Sequence, residues 1–263
     1  MHPMNCQRNF LSALVILLCL VISLDFVLPV AAQCGEWRVT PIRLFLDRGA
    51  RSGVINVQND SDNPMTFHVK GMEWLQDAEG NDQYLETEDL IYFPKQLMIP
   101  AHAERVVRVG NKGGMGAREK TYRLFIEEIA PPRSESAAEQ SQIAIAIRFA
   151  VPLFIKPAKE VLDGELIAAE LEQGTLHSTL KNTGNVHFRI NKVQLNGKDA
   201  SGAEIFEREI NGWYLLAGMS RTYSEEIPLQ ICQQLQEVEI KILTDQNNFE
   251  RTIHVDSDMC AAP

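Results

Sequence analysis

Ser52-Gly53-Val54-Ile55-Asn56-Val57-Gln58, then Asn59-Asp60-Ser61-Asp62-Asn63-Pro64, then Met65-Thr66-Phe67-His68-Val69: an alternating run, a polar cluster and a second alternating run. Successive side chains of a strand point to opposite faces, so Gly53, Ile55 and Val57, and then Met65, Phe67 and Val69, read as the buried faces of two strands. The Asn, Asp and Pro cluster between them is turn chemistry. The same habit returns at Val107-Val109 and Leu124-Ile126, punctuated by Glu79-Gly80-Asn81-Asp82 and by Gly110 to Gly116. No long segment carries a 3.6-residue stripe, and Gly164 argues against a helix over Glu160 to Glu172. Pro157 and Ala158-Lys159-Glu160 read as a linker. Beyond it come Leu176 to Leu180, a predicted tight hairpin at Asn182-Thr183-Gly184-Asn185, and Val186 to Leu195. Gly212 to Leu216, Val238 to Ile242 and Phe249 to Val255 supply further strands. The expectation is an all-β chain of two tandem β-sandwich domains.

Arg8, the apolar run Phe10 to Leu24 and the small residues Val30-Ala31-Ala32 predict a signal peptide over residues 1–32. The apolar run falls short of the roughly 20 residues that span a bilayer, and Asp25 interrupts its continuation. Export permits disulfides, and of Cys34, Cys232 and Cys260 the expected pair is Cys232 with Cys260, the two in the C-terminal half. The formal charge of −10 with no basic run opposes nucleic-acid binding.

Catalytic signatures are missing: no nucleophile elbow, P-loop, dinucleotide fingerprint or zinc-type cysteine spacing is present. His177 and His187 flank the predicted hairpin and are read as surface residues rather than metal ligands, since no third ligand sits at a matching offset. Glu127 and Glu128 are adjacent on a strand and point to opposite faces. The reading is a binding protein, not an enzyme, with no metal or other cofactor and no small-molecule substrate.

Gln142 to Ile155 is the other informative stretch. Ile143, Ile145, Ile147, Phe149, Val151, Leu153 and Ile155 share one face of a strand far longer than usual, following the polar loop Arg133 to Ser141. Two readings stand: a long core strand, or an edge kept apolar so that another protein pairs with it.

The chain resembles the periplasmic pilus-assembly chaperones of the chaperone–usher system, the PapD-like family, over essentially its whole length after residue 32. The residues that carry this are Pro41-Ile42-Arg43-Leu44-Phe45-Leu46, Val54 to Asn59, Phe93-Pro94 with Ile99-Pro100 leading into Arg105 to Val109, and Tyr122 to Pro132. Val151-Pro152-Leu153-Phe154-Ile155-Lys156-Pro157, Lys181 to His187 and Gly212-Trp213-Tyr214-Leu215 complete the pattern. The resemblance, nearer the divergent, archaic branch, implies two immunoglobulin-like domains in a boomerang, over residues 35–157 and 162–263. It implies a periplasmic chaperone that lends a strand to pilin-like subunits and brings them to an outer-membrane usher. Ile143, Ile145 and Ile147 match the donor side chains, and Arg43 matches the arginine that grips a client's C-terminal carboxylate. The lysine that shares this grip in better-known members falls at Pro152, which has no charge. Arg123 and Arg148 are the substitutes expected, Arg123 preferred. A structural or adhesive envelope sandwich is the alternative function, and self-association through the donor edge is left open.

Overall fold

The computed structural model describes residues 36–129 and 146–260; from Trp37 onward they lie within one compact unit, Trp37–Pro263. Cys34, Ile143, Ile145 and the expected signal peptide fall outside the described residues.

The strands β1 (Trp37–Thr40), β2 (Leu44–Leu46), β3 (Ser52–Asn59), β4 (Met65–Gln76), β5 (Asp82–Glu86), β6 (Leu90–Phe93), β7 (Gln96–Ile99), β8 (Glu104–Asn111), β9 (Lys120–Ile129) and β10 (Arg148–Ile155) make the first sandwich. One sheet runs β1-β3-β8-β6; the other runs β2-β10-β9-β4-β5, with β7 also on β4. The chain leaves β1 at Pro41, which has no N–H for a ladder, and resumes as β2 in the opposite sheet, parallel to β10. The period of two does what the sequence asks: Ile55 and Val57 of β3, Phe67 and Val69 of β4, and Leu124 and Ile126 of β9 all enter one core. β9 departs from simple alternation, because Thr121 to Ile126 are buried on both faces. Tyr122, Leu124 and Ile126 face the core, while Thr121, Arg123 and Phe125 face the other way, Phe125 against Tyr84 of β5 and Arg123 toward Trp213 and Tyr214 of the second sandwich.

That sandwich contains β11 (Gly164–Glu172), β12 (Thr175–Asn182), β13 (Phe188–Asp199), β14 (Glu204–Asn211), β15 (Tyr214–Leu215), β16 (Ser220–Glu226), β17 (Leu235–Thr244) and β18 (Phe249–His254). Its sheets are β11-β12-β16 and β14-β13-β17-β18, with β15 on β13. A one-turn helix, α1 (Leu229–Cys232), lies between β16 and β17, and Cys232 is disulfide-bonded to Cys260 across 28 residues.

The hairpin expected at Asn182 to Asn185 is corrected: β12 and β13 lie in different sheets. Asn182 is fully buried; its amide donates to the carbonyls of Val186 (2.9 Å) and Leu215 (3.0 Å) and its oxygen accepts the Gly184 N–H (3.0 Å). This side chain supplies the bonds a ladder would have supplied, so the chain crosses between sheets. A Cβ at Gly184 would stand 2.3 Å from the Val161 carbonyl, so only glycine fits the crossing. The tight hairpin is at Gln173-Gly174, joining β11 to β12 with Glu172 opposite Thr175. Both loop residues have positive φ (50° and 76°), as a two-residue turn of this hand requires. His177 and His187 are therefore not cross-strand neighbours: His177 pairs with Ser224 of β16 at 2.9 Å.

Candidate functional site

β10 is paired along its whole described length with β9, from Arg148 opposite Glu127 to Ile155 opposite Lys120, with no break in register at Pro152. On its other side only Leu153 to Ile155 pair, with β2. The Arg148–Pro152 half is thus an edge, which a residue without an N–H tolerates. Val151, Leu153 and Ile155 are core residues. The same alternation continues outward to Phe149, which meets Trp37 edge-on at 4.7 Å, and to Ile147, which is 39% exposed. Of the expected donor row, Ile147 alone is described.

The opposite face of β10 looks toward the second sandwich. Phe154 stacks on His187 with ring centroids 3.7 Å apart, and on Phe45 at 5.3 Å. Glu119 fixes His187: one carboxylate oxygen lies 2.6 Å from Nδ1 and accepts the His187 backbone N–H at 2.9 Å. Beside this stack opens a cleft of about 190 Å³, lined by Arg43, Phe45, Lys156, Glu160, His187 and Asp245 among others. Arg43 makes no hydrogen bond or ion pair among the described residues. Lys156 holds Glu160 at 2.9 Å, and Asp245 accepts the Arg189 N–H at 2.8 Å.

Arg123 stands opposite Pro152 in the ladder and on the same face, yet it does not line this cleft. It is 4% exposed, its guanidinium 3.7 Å over Trp74, with Trp213 and Tyr214 each 5.6 Å away. Nη1 donates to the Ala150 carbonyl (3.1 Å), Nη2 lies 3.9 Å from Asp82, and neither Nε nor Nη2 makes a hydrogen bond. Burial pushes its pKa down from the ordinary arginine value, against the pull of Tyr84 and Asp82. Asp82 also accepts from Trp213 Nε1 (3.0 Å) and the Tyr84 hydroxyl (3.2 Å). Arg148 lies elsewhere, its guanidinium 4.9 Å over the Phe125 ring. The structure therefore brings Arg43 to the cleft, seals Arg123 into the interface and leaves Arg148 at the half-paired end of β10.

Sequence reasoning missed Lys156, Glu119 and the aromatic wall. Lys156 was legible, since it shares the alternation of Arg148, Pro152 and Phe154. Glu119 was not, because its partner His187 is 68 residues away in another sandwich. Among the described residues no group of three or more His, Cys, Asp or Glu could hold a metal, and no helix is long and apolar enough to cross a membrane.

Residues 37–160 match the family model described as pili and flagellar-assembly chaperone, PapD N-terminal domain. A relative named probable fimbrial chaperone EcpB, from Escherichia coli O1:K1 / APEC, is 24% identical over 191 residues, covering 71% of this chain and 80% of the relative. Among solved structures, the CsuC–CsuE chaperone–tip adhesion subunit pre-assembly complex of Acinetobacter baumannii aligns over 83% of this chain and 98% of its own, at TM-score 0.57 and 16% identity. The Salmonella enterica SafA pilin–SafB chaperone complex aligns over 85% and 99%, at TM-score 0.52 and 14% identity. At such identities the solved structures speak for the two-sandwich fold, and the family model speaks for the first sandwich: residues 37–160 belong to the PapD-like N-terminal domain family of pilus-assembly chaperones.

Proposed function

We propose that this chain is a periplasmic, non-catalytic chaperone that binds pilin-like subunits by lending them a strand and delivers them to an outer-membrane usher. The observation that carries this is the half-paired β10, whose core-facing row runs out of the sandwich to an exposed Ile147. A client lacking a strand would pair its main chain with that edge and take Ile143, Ile145 and Ile147 into its groove. Each isoleucine fully buried contributes roughly 1.5–3 kcal/mol, which requires neither ATP nor metal. The CsuC and SafB neighbours were captured with a tip adhesion subunit and a pilin respectively, which supports the reading by analogy of fold. Residues 35–157 would bear the donor strand and residues 162–263 the far wall of the cleft. Arg43 would anchor the client's C-terminal carboxylate there, since a carboxylate leaving water needs a charge-assisted partner. Arg123 would stiffen the interface and Arg148 would flank the incoming strand.

Co-expression with a pilin-like subunit encoded beside this chain, followed by purification, tests it. The wild type should yield a one-to-one complex; Ile145→Asp and Ile147→Asp should keep their native circular dichroism and yield none, because a charge cannot enter an apolar groove unpaired. Arg43→Ala should fold and bind roughly a hundredfold more weakly. If both aspartate variants still capture the subunit, strand donation is wrong; if the wild type captures none, the structural or adhesive reading takes its place.

A further inference from the structure

We infer that Lys156, held in the free chain by the carboxylate of Glu160, is the second cation of the Arg43 cleft, and that a client's C-terminal carboxylate displaces Glu160 to reach it. The inference rests on the chaperone reading above and deepens it. In the parallel ladder Phe154 lies beside Phe45 and Ile155 beside Leu46, and the Lys156 N–H donates to the Leu46 carbonyl at 2.9 Å. Alternation then sets Phe45 of one strand and Phe154 of its neighbour on a single face, and Arg43, just before β2, and Lys156, just after β10, line the cleft beside them. Lys156 Nζ lies 5.6 Å over the Phe45 ring, so the apolar floor of the cleft also holds the cation. A volume of about 190 Å³ leaves room for a carboxylate and the end of the chain that carries it.

The charges decide which carboxylate yields. Glu119 is buried and committed to His187, and Asp245 to the Arg189 N–H. Glu160 follows the β10 strand, four residues from Lys156, and both partners of that pair are about a third or more exposed. Exposed ion pairs hold weakly, so exchanging Glu160 for another carboxylate that also meets Arg43 is favourable. Arg148 lies over Phe125 and Arg123 is enclosed by Trp74, Trp213 and Tyr214, so neither presents its charge to this space. The loss of a lysine at Pro152 is thereby made good two alternations further along the same face.

A client-independent titration tests the cleft. Nα-acetylglycine is added to the isotopically labelled chain while the side-chain resonances of Arg43, Lys156 and Arg123 are followed by NMR, with acetylglycinamide as the uncharged control. The carboxylate should move Arg43 and Lys156 together, and the amide neither. Glu160→Gln should bind acetylglycine roughly three- to fivefold more tightly, and Lys156→Met roughly tenfold more weakly. Equal shifts from acid and amide, an unmoved Lys156, a response at Arg123 in its place, or no gain with Glu160→Gln would overturn the assignment. With a client in hand, undiminished capture by Lys156→Met overturns it while strand donation stands. Failure of the wild type to capture any subunit strikes the chaperone reading, and the titration still decides the cleft.

Discussion

Arg123 shows how much burial changes what a cation can do. Its charge is stacked on Trp74 and faces Asp82 at 3.9 Å, so it is compensated without being well hydrogen-bonded. Pairs of this kind stabilise little relative to an apolar side chain of similar volume, whereas truncation leaves a void. Arg123→Ala is therefore expected to lower unfolding stability by about 2–4 kcal/mol. Arg123→Met should stay within about 1 kcal/mol of wild type, because Asp82 keeps its bonds from Trp213 and Tyr84. Arg148→Ala, on an exposed strand end, should shift it by no more than about 0.5 kcal/mol. Urea unfolding curves check all three. If Arg123→Ala and Arg123→Met cost the same, the guanidinium's charge rather than its packing matters. The sequence places Arg123 on the strand before β10 and expects it to reach the cleft, which it does not line; its enclosure depends on Trp213 and Tyr214, about 90 residues downstream.

At the scale of elements, the two sheets of the first sandwich are clasped at one end by Asp89, just before β6. Its Oδ2 accepts from Lys120 Nζ (2.7 Å) and the Tyr122 hydroxyl (2.8 Å), both on β9 of the opposite sheet. These bonds, that of Lys120 foremost, hold the Asp89 pKa below its usual 3.8. A lowered carboxylate pKa in the folded state means stability that is complete above the ordinary value and fades as pH falls from there through the lowered one. Asp89→Asn should cost about 0.5–1.5 kcal/mol at pH 7, a modest figure because the group is partly exposed. The deficit should shrink when both proteins are unfolded at pH 3. A deficit independent of pH would mean that shape rather than charge makes the clasp. The strands themselves were legible because half-buried strands write a period of two. The hairpin at Gln173-Gly174 was not, since neither residue announced a left-handed turn as strongly as Asn182 to Asn185 did.

For the molecule as a whole, the interface between sandwiches is the feature on which a cleft depends. Trp74, Phe154, Tyr214 and Leu216 form its apolar centre. Gln76 completes it: its amide donates to the Tyr214 carbonyl at 2.9 Å and its oxygen accepts the Leu216 N–H at 3.0 Å. A side-chain amide here acts as one more peptide group in a ladder between β4 and β15. Gln76→Ala leaves both buried main-chain groups unsatisfied, at about 1–3 kcal/mol each. The expectation is lower cooperativity between the two sandwiches and faster proteolysis in the connection at residues 156–163. Unchanged proteolysis and unfolding would mean the aromatic centre suffices.

What the sequence by itself determined was local and periodic: all-β class, tandem sandwiches, and the apolar row of β10. It also held a repeat not read from it, for Asn59 bonds the carbonyls of Asn63 and Ile99 just as Asn182 bonds those of Val186 and Leu215. Only the tertiary structure decided which cations share a cleft. Arg43, Lys156 and Glu119 flank β2, β10 and β9 and His187 lies in the crossing before β13, and a strand's alternation fixes the face of a side chain but not what folds over that face. Contact across two sandwiches is set by how their apolar surfaces pack, and that packing buried Arg123 while leaving Arg43 and Lys156 open.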